Sequence, residues 1–100
     1  MRAQLAVLKG AGTGHFFDLA RPRCVIGRDD AADITLSDAE ASGLHARLER
    51  AAGGHRLVDL ESRNGTFLDG QPVQTVPLRH GDRFVIGGHE FQYLVDDGEA

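Results

Sequence analysis

The chain predicts an all-β domain, a sandwich or barrel of short strands, and three features of its 100 residues carry that expectation. Short apolar runs recur about every ten residues. Glycine-rich or Asn-Gly and Asp-Gly punctuation separates several of them. The final run alternates with a period of two, as a strand with one buried face must.

Leu5-Ala6-Val7-Leu8 is the first strand candidate and stops at Gly10-Ala11-Gly12-Thr13-Gly14. His15-Phe16-Phe17-Asp18-Leu19, Arg23-Cys24-Val25-Ile26 and Asp33-Ile34-Thr35-Leu36 follow. After Gly53-Gly54 comes His55-Arg56-Leu57-Val58-Asp59-Leu60. Asn64-Gly65 then introduces Thr66-Phe67-Leu68, and Asp69-Gly70 introduces Gln71-Pro72-Val73. Both dipeptides are read as hairpin turns, because Asn, Asp and Gly tolerate the positive φ that two-residue turns require. Gly87-Gly88 divides Arg83-Phe84-Val85-Ile86 from His89 to Val95. In that last run Phe91, Tyr93 and Val95 share one face, opposite Glu90 and Gln92.

Residues 38–52 support two readings. Ser37-Asp38-Ala39-Glu40 spells a capping box, and Ala41, Leu44, His45 and Leu48 recur at helical spacing. Gly43 opposes a helix by about 1 kcal/mol relative to Ala. From Ala46 onward, Ala46 and Leu48 against Arg47 and Glu49 alternate equally well as a strand. Local rules divide evenly between helix and strand.

Composition narrows the function. Of 41 apolar residues twelve are Ala, and the other 29 are mostly Leu, Val and Phe, enough for one compact core. Residues 1–95 are expected to form that domain, with 96–100 an acidic tail. Asp96, Asp97 and Glu99 supply three of the four excess acids, so residues 1–95 hold twelve acids against eleven bases. A near-neutral body argues against a nucleic-acid partner, which would call for a basic excess. No run approaches the ~18 apolar residues of a membrane span, and Lys9 interrupts the first apolar run too early for a signal peptide. A cytoplasmic chain with no membrane partner is expected. The lone Cys24 cannot form an intrachain disulfide and reads as a small buried hydrophobe. His15, His45, His55, His80 and His89 lack tight ligand spacing, so neither a metal nor another cofactor is expected.

Three polar clusters fall at the ends of apolar runs: Gly27-Arg28, Ser42-Gly43-Leu44-His45 and Ser62-Arg63-Asn64-Gly65-Thr66. A phosphorylated side chain carries a charge near −1.5 to −2 and three acceptor oxygens, so a reader of it must be rich in donors. Arg28 offers a planar, permanently charged fork. Ser42 offers a hydroxyl, and the Gly43 N–H a backbone donor of the kind found in anion-binding nests. Asn64 carries donor and acceptor on one short amide, suited to a peptide main chain.

Taken with Leu78-Arg79-His80-Gly81-Asp82 and Ile86-Gly87, these clusters resemble, in order and spacing, the forkhead-associated (FHA) domain. The resemblance covers roughly residues 4–95. It implies an FHA-like sandwich of two mainly antiparallel sheets, about 10–11 short strands, with binding loops at one end. It also implies that 38–44 is a loop and 45–50 a strand. The implied function is recognition of phosphothreonine segments of partner proteins, downstream of a Ser/Thr kinase. Arg28, Ser42 and Gly43 would bind phosphate; Arg63 and Asn64 would face the peptide; Gly27, His45, Gly65 and Thr66 would support the site. Gly43 departs from the family, where a polar residue often follows the Ser and adds a side-chain donor. Glu40, beside the implied peptide path, is expected to disfavour acidic residues C-terminal to the phosphothreonine.

Two rival readings remain. Ser42, His45 and Asp59 have the residue types of a hydrolytic triad, but no Gly-x-Ser-x-Gly elbow accompanies them, and no enzyme is expected. FHA-like domains also act as phosphate-independent assembly modules, for instance in secretion or scaffold complexes. Such a module need not keep Arg28 and Ser42.

Overall fold

A computed structural model describes residues 2–96. The chain forms β1 (Arg2–Lys9), β2 (Phe16–Asp18), β3 (Arg23–Gly27), β4 (Ile34–Thr35), β5 (Ala46–Ala51) and β6 (Gly54–Asp59). It continues with β7 (Thr66–Leu68), β8 (Gln71–Pro72), β9 (Thr75–Pro77), β10 (Arg83–Ile86) and β11 (His89–Asp96). One sheet has the order β2-β1-β11-β10-β7-β8 and the other β4-β3-β5-β6-β9. Among the described residues only β3 and β4 pair in parallel; every other pairing is antiparallel. This is the expected sandwich, and among the described residues it contains no helix.

Alternation places one face of each sheet inside. Leu5 and Val7 of β1 meet Ile26 of β3, Leu48 of β5 and Leu57 of β6 in one apolar core. β11 contributes Phe91 and Tyr93 inward, as its period of two predicts, and its first residue, His89, is also buried. The Phe84 and Phe91 rings stack with centroids 5.3 Å apart. Burying such side chains contributes about 1.5–3 kcal/mol each, which is what holds two sheets with short edges together. β11 runs through Asp96, one residue beyond the expected domain boundary; the rest of the acidic tail lies outside the described residues.

Register sets where the loops emerge. Ile26 pairs with Ala46, and Ala46 with Asp59, so β3 ends, β5 begins and β6 ends at one edge of the sandwich. Loops 28–33, 36–45 and 60–65 therefore leave from the same end. The β5–β6 turn, where Ala51 pairs with Gly54, lies at the other.

Two local expectations need correction. Asp69-Gly70 is a hairpin turn, with φ of 51° and 78° joining β7 to β8. Asn64-Gly65 is not: β6 and β7 belong to different sheets, so the dipeptide lies in a crossover loop and Gly65 (φ 90°) bends the chain between layers. The loop and strand that the resemblance implies over 38–44 and 45–50 are found, with β5 at Ala46–Ala51, and the helix that local rules also allow is absent. Asp38 turns its carboxylate onto the Glu40 N–H at 2.9 Å. Cys24 packs against the core but is only partly buried.

Candidate functional site

At the end of β3 the backbone approaches the neighbouring loop so closely that a β-carbon on Gly27 would lie 2.1 Å from the Gly43 carbonyl oxygen. Only glycine fits there. That approach permits a short ladder: Arg28 N–H donates to Ser42 O at 3.0 Å and Asp29 N–H to Gly43 O at 2.9 Å. The loops bearing Arg28 and Ser42 are thus joined through main chain. Gly43 itself is under no such constraint, since a β-carbon there would meet nothing nearer than the Asp29 side chain at 3.8 Å.

Three successive carbonyls of loop 36–45 then take one donor each from a different residue. Ala39 O accepts from Arg63 Nη2 at 3.4 Å, Glu40 O from Asn64 Nδ2 at 2.8 Å, and Ala41 O from Arg28 Nε at 3.1 Å. The Arg28 bond uses one of the five guanidinium donors and leaves the Nη groups for another acceptor. Ser42 Oγ accepts the Arg63 N–H at 3.0 Å, which leaves its own hydroxyl proton to donate. Asn64, expected on the peptide main chain, spends one donor on Glu40 and keeps its carbonyl oxygen.

Beneath these groups lies His45, with no exposed surface. Its Nδ1 accepts the Ser42 N–H at 3.0 Å, so the proton sits on Nε2, which donates to Gly65 O at 2.8 Å. One neutral imidazole therefore ties loop 36–45 to loop 60–65. Asp59 organises the second loop: it accepts from Ser62 Oγ at 2.5 Å, Ser62 N–H at 3.1 Å and the buried Thr66 Oγ1 at 2.7 Å. Ser62 Oγ in turn accepts the Gly65 N–H at 3.0 Å. Burial pushes the Asp59 carboxyl up, but the hydrogen bonds from Ser62 and Thr66 outweigh it and hold the group below its ordinary range.

Arg28, Asp29 and Gly43 line a shallow depression of about 240 Å³. It is open and smaller than the ~300–1,000 Å³ of a typical small-molecule pocket. Asp29, Asp30, Glu40 and Glu61, like the cations Arg28 and Arg63, are exposed on these three loops. The Ser42-His45-Asp59 triad does not assemble: both imidazole nitrogens are occupied by backbone groups, and Asp59 is bonded to Ser62 and Thr66. Among the described residues no three His, Cys, Asp or Glu side chains gather as a metal site. Burial and the nearby Asp33 push the Cys24 thiol up to about 11, so it is protonated at neutral pH.

Sequence reasoning brought forward most of this cluster but passed over Asp59 and Ser62 as its organisers. Their spacing, an Asp three residues before a Ser at the close of a strand, is the signal of a side chain that caps a turn. Asp38 and His89 were missed as well, and no local pattern links positions 51 residues apart.

Residues 6–97 match the family described as the cytoplasmic domain of the inner membrane component of T3SS. The chain is 35% identical to the glycogen accumulation regulator GarA of Mycolicibacterium smegmatis, over 92% of this chain and 58% of that protein. It is 37% identical to the oxoglutarate dehydrogenase inhibitor of Corynebacterium diphtheriae, over 90% of this chain and 63% of that one. It therefore spans about three fifths of the length of these relatives. A structure from an analysis of phosphothreonine-dependent FHA domain interactions superimposes with a TM-score of 0.86 at 28% identity, covering 96% of this chain and 98% of that one. Two sheets in this order, the loops joined at Gly27 and the matches over nearly the whole length agree: the chain belongs to the family of that T3SS cytoplasmic domain and is an FHA domain.

Proposed function

We propose that this domain binds phosphothreonine-containing segments of partner proteins modified by a Ser/Thr kinase. The observation that carries the reading is the geometry around Arg28. Its Nε is spent on Ala41 O, the ladder to Ser42 and Gly43 sets its backbone, and Arg28 lines one shallow depression with Asp29 and Gly43. Arg28, the Ser42 hydroxyl and the Gly43 N–H then bind the phosphate, and Asn64 and Arg63 meet the peptide. Gly27, His45, Gly65 and Thr66 hold these groups in place. The likeness to a domain with phosphothreonine-dependent interactions supports the reading, as do relatives named as a regulator and an inhibitor.

Titration against a degenerate phosphothreonine library, with phosphoserine and unphosphorylated counterparts, tests it. Binding should require the phosphate, and Arg28→Ala should weaken it by about 10- to 150-fold, the worth of about 1.5–3 kcal/mol for hydrogen bonds to a charged group. Equal binding by Arg28→Ala would remove the assignment. The family match to a secretion-system component favours a second reading, a phosphate-independent assembly module. Capture of a partner by the unphosphorylated route, unaffected by Arg28→Ala, would select it.

A further inference from the structure

The carbonyls of Ala39, Glu40 and Ala41 position three ligand-facing side chains, so whatever fixes that segment fixes the site. From the Ser42 side it is held by His45. Its other end is held by Asp38, whose side chain is only 12% exposed and belongs to a different set of partners. Asp38 Oδ1 accepts the Glu40 N–H at 2.9 Å, while Oδ2 accepts the Gly88 N–H at 2.8 Å and the His89 Nδ1–H at 3.0 Å. The last two come from the β10–β11 turn and the first residue of β11, in the opposite sheet.

That turn is shaped to receive the carboxylate. Gly87 has a φ of 58°, and a β-carbon on it would lie 2.7 Å from Asp38 Oδ2 and 3.1 Å from Glu40 Cβ. The His89 ring is itself confined, because a β-carbon on Gly10 would come within 2.5 Å of it. His89 is buried, with its ring stacked on Phe91 at a centroid distance of 6.3 Å. The hydrogen bonds from Glu40 and Gly88, ahead of the opposing effect of burial and with help from His89, hold the Asp38 carboxyl below its ordinary range and keep it a charged acceptor.

We propose that Asp38 and His89 are positioning residues for phosphopeptide binding, anchoring loop 36–45 to the β10–β11 turn so that the carbonyls of 39–41 present Arg28, Asn64 and Arg63. This rests on the phosphothreonine reading above. Neither residue touches the ligand; each acts through the loop.

Asp38→Ala tests it beside Asp82→Ala, which removes a local turn bond, Asp82 Oδ2 to the Arg79 N–H at 2.8 Å, at the far end of β10. With a phosphothreonine peptide selected by the library, Asp38→Ala should bind about tenfold more weakly, the scale of one lost charge-assisted bond, and Asp82→Ala should bind as wild type. Amide exchange at Ala41 and Ser42 should quicken by about tenfold in Asp38→Ala alone, a readout that general destabilisation would move in both variants. Asp38→Asn, which keeps one acceptor oxygen, should fall between Asp38→Ala and wild type. Wild-type affinity and unchanged exchange in Asp38→Ala would overturn the proposal. Failure of the wild-type domain to bind any phosphothreonine peptide would overturn the functional reading instead, and the exchange comparison would still decide whether Asp38 holds the loop.

Discussion

Two buried histidines mark opposite ends of the sandwich, and they are treated differently. His45, at the loop end, has both ring nitrogens bound to backbone groups of two separate loops. His55, near the β5–β6 turn, meets Tyr93 Oη at 2.7 Å through Nδ1, while its buried Nε2 has no partner. The difference follows from how each end satisfies its main chain. A two-residue hairpin completes its own ladder, so His55 is not needed to bond the backbone. Long irregular loops have no ladder, and their buried N–H and C=O groups must find side-chain partners. A binding end built from loops therefore requires polar nodes such as His45 and Asp59, and the hairpin end does not.

The largest effect should come from breaking the saturated node. His45→Ala leaves the Ser42 N–H and the Gly65 carbonyl without partners above a new cavity. Urea unfolding should show a loss of about 3 kcal/mol or more, and phosphopeptide titration should show binding abolished. A loss below about 1 kcal/mol would mean that the loops do not depend on this ring.

The half-satisfied node should respond chiefly to pH. Burial, followed by the nearby Arg50, holds the His55 imidazole below its ordinary 6.5. The unfolded chain therefore takes up this proton first as pH falls. The contribution of His55 is fully present above about 6.5 and declines below it, by at most about 1.4 kcal/mol per pH unit. His55→Gln cannot titrate, so its stability between pH 7 and 5 should fall less than that of wild type. Parallel curves would show that the burial of His55 has no bearing on acid stability.

The smallest effect concerns the rim of the loop end. Glu40 is exposed, and its carbonyl holds Asn64 whatever its side chain carries. Glu40→Gln should leave stability unchanged and relax the discrimination against acidic residues C-terminal to the phosphothreonine by about two- to threefold, within the ~0.2–1 kcal/mol of an exposed charge pair. A library profile in which wild type already prefers Asp or Glu there would contradict it.

Particular residues show how far the chain could be read without its fold. Alternation in β11 and the turn at Asp69-Gly70 were legible because a strand face and a two-residue hairpin are decided by neighbours within a few positions. The order of Gly-Arg, Ser-x-x-His and Asn-Gly-Thr was legible as a whole, although no one cluster would have sufficed. Asn64-Gly65 was misread as a hairpin because the dipeptide reports a permitted φ, not which sheet the next strand joins. The segment 38–52 carries a genuine helical pattern that fails for a non-local reason: Asp38 is bonded to Gly88 and His89, and His45 to Gly65.

The sequence alone determined an all-β class, most strand positions, the core-facing residues of the final strand and the polar clusters that make up the candidate site, since these depend on local periodicity and residue chemistry. Tertiary structure decided the crossover at Asn64, the loop in place of a helix, the close approach that demands Gly27, and the anchoring roles of Asp38, Asp59 and His89. Each of those rests on a contact between segments distant in the chain, whose energy exists only once the two sheets have packed.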